Sequence, residues 1–169
     1  MPQAFVTAAI EEASDIWAAY GVEIRMAGVN DAEPDQTVRL AVTLSPPPDS
    51  LRTGTLGSIV FKGDAPEPTI ELYPSAASAL VAAVAFNSLG EPWPPGLKDR
   101  AVARVLGRAL AHEVGHFLLR SKRHSTGGLM KAQQVGSDLA SPDRRRFALS
   151  ADEVRQFRAL ISTPGEAGD

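Results

Sequence analysis

The stretch HEVGHFLLRSKRHSTGGLM, residues 112–130, contains every histidine of the chain, namely His112, His116 and His124. Two histidines four residues apart on a helix share one face and lie about one turn, or roughly 5.4 Å, apart along the axis. Both imidazoles can therefore reach one metal ion. Glu113 lies about 100° further around the helix than His112, close enough to contact water at such a metal without being a ligand. The spacing predicts a hydrolytic metal site.

The third ligand of this site is the next question. The chain has no cysteine, so any metal must be bound through nitrogen and oxygen atoms. A catalytic zinc needs three protein ligands and an open fourth position, and His124 is the only nitrogen ligand left after His112 and His116. We therefore expect Zn2+ at these three histidines. Glu113 would be the general base for the attacking water and then the acid that protonates the leaving amine.

The metal-binding stretch begins on a predicted helix that runs from about Lys98 to about Arg120. Apolar residues recur at helical spacing along one face of this helix, at Val102, Val105, Leu106, Ala109 and Leu110. The same spacing continues onto Glu113 and His116, which places both polar side chains where the helix should face the core. Because an unliganded polar pair is costly to bury, this placement favours metal binding over three ordinary hydrogen-bonded histidines.

Further helices and strands are predicted on both sides of this helix. Residues 4–20 have apolar side chains at helical spacing, and Gly21 follows as a C-cap. Short segments rich in β-branched residues and bounded by turn residues predict four strands, at 22–29, 38–44, 56–61 and 69–73. Two more helices are predicted, one over 75–88 and one over 150–161, the latter with Ser150 and Glu153 at capping-box spacing. This order of elements predicts an α+β fold.

The stretch resembles the signature of the metzincin zinc peptidases, which is HExxHxxGxxH followed by a methionine in a tight turn beneath the metal. HEVGH matches at His112, Glu113 and His116, and HSTGGLM supplies a third histidine, His124, and a turn methionine, Met130. The order of elements is also similar to a reduced, single-domain metzincin. The resemblance implies a small twisted mixed sheet of about four strands, a long active-site helix, a Met-turn and a C-terminal helix. It also implies zinc-dependent peptidase activity.

Two departures from this signature concern the third ligand. Leu119 stands where the family has glycine, and His124 follows His116 by eight residues rather than six. We expect the helix to continue about half a turn further, with residues 120–123 making the reversal that brings His124 to the metal. The alternative is a gluzincin-like site completed by a carboxylate, for which the candidates are Glu153 and, after it, Asp138 and Asp143.

The resemblance further implies where a substrate binds. In a metzincin-like fold the strand before the last one is the edge of the sheet, and an extended peptide adds to it as a further strand. By order this strand is Gly57 to Phe61, which we expect to bind a peptide or protein substrate. An ordinary edge strand is the competing interpretation. For the whole chain, the alternative to a peptidase is a non-catalytic binding domain that keeps zinc as a structural brace.

Composition and charge exclude several other classes of protein. The 169 residues are 44% apolar and carry a formal net charge of -3, which predicts one domain over 1–169 and no general attraction to nucleic acid. Two basic clusters, Arg100, Arg104 and Arg108 on one helix face and the run at 144–146, are interpreted as solvated faces. No segment has the roughly 20 apolar residues of a membrane span, and the N-terminus lacks the basic start of a signal peptide. We expect a monomer without membrane partners, cytoplasmic as given or secreted if a leader has been removed.

Overall fold

The computed structural model describes residues 3–28, 37–51 and 54–162 of the chain. In these ranges the elements are α1 (Gln3–Ala18), β1 (Ala41–Leu44), β2 (Gly57–Lys62), β3 (Ala65–Leu72), α2 (Pro74–Ala83), α3 (Leu97–Leu118), α4 (Gly136–Ala140), a 3-10 helix (Arg145–Phe147) and α5 (Ala151–Ser162). The fold is therefore mixed α+β, as predicted. None of the helices in the described ranges is long and apolar enough to cross a membrane.

The three strands form one mixed sheet in the order β1-β3-β2. β1 runs parallel to β3, whereas β2 is antiparallel to β3 and has a register irregularity between Ile59 and Phe61. β2 is therefore an edge strand of the described sheet. This is the position expected for the segment from Gly57 to Phe61.

One predicted strand, residues 22–29, is wrong for the part that the structure describes. Up to Gly28, where the described range ends, the segment forms no strand. Val22 and Ile24 pack against the buried core, and the backbone N–H of Ile24 donates to Ser14 Oγ of α1 at 3.2 Å. The alternation of apolar and polar residues thus belongs to an extended segment lying on α1, because alternation reports which side chains are buried and not whether a strand partner exists. The described sheet has three strands, where about four were expected.

The helix predicted to contain the metal-binding motif is α3, which contacts α1, α2, α4 and the sheet. Gly107 lets α1 approach closely, because a side-chain carbon there would lie 2.5 Å from the carbonyl oxygen of Ala9 and 2.6 Å from Glu12 Cβ. Trp17 of α1 donates its indole N–H to the carbonyl oxygen of Ala111 at 2.9 Å. These contacts fix α3 in the core immediately before the metal-binding stretch.

The basic residues on α3 do not form the solvated face that was expected. Arg108 is 1% exposed; it donates from Nε to Glu12 Oε1 at 2.9 Å and from its terminal nitrogens to the carbonyl oxygens of Leu139 and Asp143. Arg104 donates to another carbonyl oxygen of the same segment at 2.7 Å. The expectation is wrong for these two residues because the buried Glu12 supplies a counter-charge that no local pattern around Arg108 reveals.

The arginines of the run at 144–146 are exposed, and each forms an ion pair. Arg144 pairs with the buried Glu12 at 2.9 Å, Arg145 pairs with Asp143, and Arg146 pairs with Asp138 of α4. These pairs involve two of the three carboxylates that were considered as metal ligands.

Local backbone conformation ends α2, and a side-chain cap begins α5. The C-cap of α2 is Val84, whose extended backbone (φ −95°, ψ 127°) ends the helix earlier than the predicted residue 88. At the start of α5, the backbone N–H of Glu153 donates to Ser150 Oγ at 3.3 Å, and the backbone N–H of Ser150 donates to Glu153 Oε2 at 2.7 Å. The reciprocal hydrogen bonds confirm the predicted capping box.

Candidate metal centre

The three histidines predicted as ligands lie together near the C-terminal end of α3. Their ring centroids are 4.7 to 5.2 Å apart, and Nε2 of His112 lies 3.1 Å from Nε2 of His116. Two nitrogens bound to one tetrahedral zinc at about 2.0–2.1 Å lie about 3.3 Å from each other. One ring nitrogen of His124 completes a set whose atoms all lie within 4.8 Å of one another. Among the described residues, this is the only group of three or more potential ligands able to bind one metal ion.

The other nitrogen of each helical histidine faces a backbone carbonyl oxygen. Nδ1 of His112 lies 2.8 Å from the carbonyl oxygen of Leu129, and Nδ1 of His116 lies 2.6 Å from that of Ser121. Because a carbonyl oxygen only accepts, each Nδ1 carries a proton and donates it. In the neutral rings both Nε2 atoms therefore present lone pairs. Two lone pairs facing each other at 3.1 Å repel unless a cation lies between them.

Burial keeps the two helical rings neutral. It lowers the pKa of His112 to about 4 and also lowers the pKa of His116, because a buried imidazolium loses its hydration. The carbonyl oxygens at Nδ1 act in the opposite direction, and the neighbouring histidines act in the same direction as burial. At neutral pH both rings are therefore in the form that binds a metal.

The turn that ends α3 lies one residue later than the glycine of the metzincin signature would place it. Leu119 keeps a right-handed conformation (φ −82°, ψ −7°), and Arg120 adopts the left-handed one (φ 47°). The backbone N–H groups of Arg120 and Ser121 donate to the carbonyl oxygens of Phe117 and His116, both at 3.2 Å. This is a Schellman motif with arginine at the position that glycine usually occupies. The left-handed residue that ends the helix thus lies one residue past the signature position, less than the half turn that was expected.

The loop after α3 carries His124 and is fixed at three places. Its start is bound to α3 by the Schellman motif. In its middle, Nζ of Lys122 donates to the carbonyl oxygen of Gly63, in the turn between β2 and β3, at 2.5 Å. At its end, the backbone N–H of Ser125 donates to the carbonyl oxygen of Met130 at 2.9 Å. These contacts place His124 against the helical histidines although the spacing is longer than in the signature.

Met130 packs against the turn of α3 that carries His112 and His116. It is 1% exposed, and its Sδ occupies the space that a side chain at Gly115 would need. Gly128 makes the turn before it with φ 74°, where the carbonyl oxygen of Ala148 leaves no room for a side chain. The methionine implied by the resemblance therefore packs against Gly115, the glycine of HEVGH.

Glu113 is on α3 beside the first histidine, and its side chain lies next to β2. The residue is 7% exposed, and its carboxylate accepts a hydrogen bond from the backbone N–H of Ile59. A side-chain carbon at Gly57 would lie 3.3 Å from Glu113 Cγ, so the glycine leaves room for the carboxylate beside the strand. Burial, opposed by the hydrogen bond, raises the pKa of Glu113 to about 7. At neutral pH this carboxyl can therefore both accept and release a proton.

The carboxylates considered as alternative third ligands take part in other interactions. Glu153 belongs to the capping box, Asp143 pairs with Arg145, and Asp138 pairs with Arg146. None of the three joins the histidine group of the described residues. The geometry therefore favours His124 as the third ligand.

Phe61 was predicted only as the end of the substrate strand and Lys122 only as part of the reversing loop, and neither was predicted to lie near the histidines. The ring of Phe61 lies edge-on to the ring of His116 with centroids 6.4 Å apart, and Nζ of Lys122 lies 5.3 Å from the Phe61 centroid. Neither contact has a local sequence signal, because each depends on how β2 packs against α3. Gly115, by contrast, does carry a local sequence signal. A glycine inside a helix costs about 1 kcal/mol relative to alanine, so its presence indicates a close neighbour.

No protein-family model, curated protein or solved structure matches the chain. The histidine group, Glu113 and the adjoining edge strand are therefore the basis on which a function can be assigned.

Proposed function

We propose that the protein is a zinc-dependent peptidase of metzincin type, in which His112, His116 and His124 bind zinc and Glu113 is the general base. One observation carries the proposal: the Nε2 lone pairs of His112 and His116 face each other at 3.1 Å beside a buried carboxylate. A purely hydrogen-bonded histidine pair would need an N–H between the two rings. The carbonyl oxygens at both Nδ1 atoms do not allow that tautomer.

The donor set fits zinc. It consists of imidazole nitrogens, whereas magnesium and calcium prefer oxygen ligands. Three protein ligands also leave one tetrahedral position open, which is the arrangement of catalytic rather than structural zinc sites. When bound, zinc would supply a Lewis acid that activates water and polarises a carbonyl group at about neutral pH.

Glu113 is the residue to which we assign proton transfer. Its carboxylate would take the proton of the attacking water and then deliver it to the leaving amine, a role worth about 10²–10⁴-fold in rate. A pKa of about 7 suits both directions of this transfer. The backbone N–H of Ile59 fixes the carboxylate while the rest of the group remains available.

The substrate is proposed to be a peptide bound along β2, from Gly57 to Phe61. In the described sheet β2 pairs with β3 on one side, and Glu113 contacts its backbone at Ile59. A peptide added to this edge through main-chain hydrogen bonds would bring a scissile carbonyl close to Glu113.

Two other interpretations make different predictions. A binding domain with a structural zinc brace needs the histidines but not Glu113. A gluzincin-like hydrolase needs a carboxylate such as Glu153 for metal binding and does not need His124.

Metal content decides between the ligand sets. We expect about one zinc per chain by elemental mass spectrometry, sharply reduced by His124→Ala and unchanged by Glu153→Ala. Glu153→Ala also removes the capping box, so its folding is checked by circular dichroism. Zinc loss in the Glu153 variant alone would favour the gluzincin-like site, and a protein that binds no zinc when zinc is supplied would end the peptidase proposal.

Cleavage of a peptide library decides between enzyme and binding domain. The zinc-loaded protein should hydrolyse some library members, and Glu113→Gln should abolish this while keeping the zinc. Zinc-loaded protein that cleaves nothing, or a Glu113→Gln variant as active as the parent, would leave the structural brace as the better interpretation.

A further inference from the structure

The lysines and arginines of the described chain divide into paired and unpaired groups. Ion pairs or side-chain hydrogen bonds engage Arg104, Arg108, Lys122, Arg144, Arg145, Arg146 and Arg155. In the part of the chain that the structure describes, the side chains without such a partner include Lys62, Arg120, Arg123 and Lys131. These four flank the histidine group, whereas Lys98, Arg100 and Arg158, which also have no such partner, lie on α3 and α5.

Each of these four residues is close in sequence to a residue of the site, namely His124, Met130 or Phe61. Arg120 and Arg123 are on the loop that carries His124, with Arg123 directly before it. Lys131 directly follows Met130, and its backbone bridges to that of Ser125. Lys62 ends β2 directly after Phe61, whose ring contacts His116.

Lys122 joins the two sides of this cationic rim, defined here as Lys62, Arg120, Lys122, Arg123 and Lys131. Its Nζ donates to the carbonyl oxygen of Gly63 and lies 3.6 Å from Asp64 Oδ1. The Asp64 side chain is fully exposed, so it offsets little of the rim's charge. The rim thus carries five positive charges and contacts one negative charge, in a protein whose formal net charge is -3.

A local positive field in an otherwise acidic protein selects its partners by charge. A divalent metal at three neutral imidazoles would add to the field of the rim. Charges lining one side of a cleft raise the local concentration of oppositely charged ligands and speed their association, and salt screens this effect.

We propose that the metal centre acts on acidic peptides, with the cationic rim as the determinant of specificity. This inference rests on the proposed peptidase function and adds the substrate class. A peptide lying along β2 would place the side chains at the Lys62 end of the strand within reach of the rim. Asp and Glu side chains there would be bound, and Lys and Arg side chains would be repelled.

Nucleic acid fits the rim less well than an acidic peptide does. Stable binding to DNA depends on many phosphate contacts along a track, typically six to ten in well-studied cases. The rim is confined to the surroundings of one site. The basic run at 144–146, which could have extended such a track, is engaged in ion pairs.

Binding of labelled peptides to the zinc-loaded Glu113→Gln protein tests the proposal without relying on turnover. Three peptides of equal length, rich in Asp and Glu, in Ser, or in Lys, are compared by fluorescence anisotropy at low salt. We expect the acidic peptide to bind about ten-fold more tightly than the basic one, equivalent to about 1.4 kcal/mol. The preference should largely disappear at about 1 M salt, where the Debye length is about 3 Å.

Matched charge removals locate the effect. Arg123→Gln combined with Lys131→Gln should remove most of the acidic preference. Lys98→Gln combined with Arg158→Gln removes the same charge from exposed positions on α3 and α5 and should leave the preference intact. Zinc content and melting temperature of both double variants are measured alongside, so that a lost site is not mistaken for lost specificity.

The outcomes separate this inference from the proposed function. Equal affinity for the three peptides, no binding of any of them, or a preference that survives loss of Arg123 and Lys131, overturns the acidic-substrate proposal. So does tighter binding of a labelled oligonucleotide than of the acidic peptide. In any of these cases, cleavage of library peptides by the parent protein still decides the peptidase proposal independently.

Discussion

α3 carries two buried polar clusters about one turn apart, and they differ in whether their hydrogen bonds are complete. The first is centred on Arg108, whose three nitrogens all donate, to Glu12 and to carbonyl oxygens such as that of Asp143. The Glu12 carboxylate also accepts from Arg144, and the ring of Phe147 lies 4.2 Å from the Arg108 guanidinium carbon. Every charge in this cluster has a partner.

The second cluster, at His112, Glu113 and His116, is incomplete as the protein chain alone provides it. The Nδ1 atoms donate to carbonyl oxygens, but the two Nε2 lone pairs have no donor between them. Glu113 accepts one backbone hydrogen bond and has no cationic partner among the described residues. The two imidazole rings are fixed in orientation, and the histidine group could hold a metal ion.

The difference teaches how to distinguish a structural polar cluster from a binding site on the same helix. Evolutionary or family information is not needed, because the count of donors, acceptors and charges is sufficient. A complete cluster such as that of Arg108 connects parts of the fold. A cluster of oriented histidines whose acceptor atoms face one another could hold a metal ion.

Glu12→Ala should have the largest effect on folding, because it leaves the guanidinium of Arg108 buried without its counter-charge. Loss of one partner of a buried ion pair typically costs about 3–5 kcal/mol. We expect a decrease of this size in the free energy of unfolding, measured by urea denaturation of the metal-free protein. The exposed Glu11→Ala, on the same helix, should change it by less than about 0.5 kcal/mol. A loss below about 1 kcal/mol for Glu12→Ala would show that the cluster contributes little to stability.

Glu113→Gln should raise the free energy of unfolding of the metal-free protein, whereas Glu12→Ala should lower it. The folded state holds the Glu113 proton up to a pKa of about 7, whereas the ordinary value is 4.5. Stability from this group is therefore complete below about pH 4.5 and is lost as the pH rises to about 7. The interval between the two pKa values corresponds to about 3 kcal/mol. Removing the ionisable group should raise the free energy of unfolding by up to this amount at pH 8.

The measurement for Glu113→Gln is a series of urea unfolding curves from pH 4.5 to pH 8 with a chelator present. Parent and variant should differ little at the acidic end and diverge toward the alkaline end. A constant difference across the series would mean that Glu113 does not carry a raised pKa in the folded protein.

Gly115→Ala probes the packing beneath the histidines. The new methyl group would overlap Met130 Sδ, and overpacking a buried site typically costs about 1–3 kcal/mol. Because alanine is about 1 kcal/mol more favourable than glycine inside a helix, we expect a net loss of about 1 kcal/mol in unfolding free energy together with weaker zinc binding, measured by competition with a chromogenic chelator. Gly127→Ala, where a side chain meets no atom within 4 Å, is the matched control and should alter neither. Unchanged zinc binding in Gly115→Ala would separate the Met-turn from the metal centre.

Much of the fold could be predicted from local patterns. The helices α1, α3 and α5 have helical sequence patterns, α5 also has its capping box, and the predicted limits are close to those observed. The segment at 22–28 could not be assigned from its alternation, because whether an extended chain joins a sheet depends on a partner elsewhere. The burial of Arg108 could not be predicted for the same reason, since its partner Glu12 is 96 residues away in the sequence.

The site divides in a similar way. His112, Glu113 and His116 follow from spacing on one helix, and His124 from counting the histidines of the chain. The contacts that place His124, above all Lys122 with Gly63 in the β2–β3 turn, join segments that are distant in sequence. The sequence therefore predicts which histidines come together better than it predicts the contacts that place them.

Arg120→Gly should have the smallest effect on stability. It tests the left-handed residue that ends α3, four residues after His116. Arg120 has φ 47°, a conformation that costs a residue with a side chain about 1–2 kcal/mol, and glycine relieves this at the expense of a more flexible unfolded chain. We expect a net gain of roughly 0.5–1 kcal/mol in unfolding free energy, with zinc affinity preserved because the Schellman motif keeps Ser121 at His116 Nδ1. Arg120→Ala removes the same charge but keeps the strain, so it should give no gain. If glycine and alanine behave alike, the left-handed residue is not strained, and the longer spacing to His124 is accommodated without a cost at the end of α3.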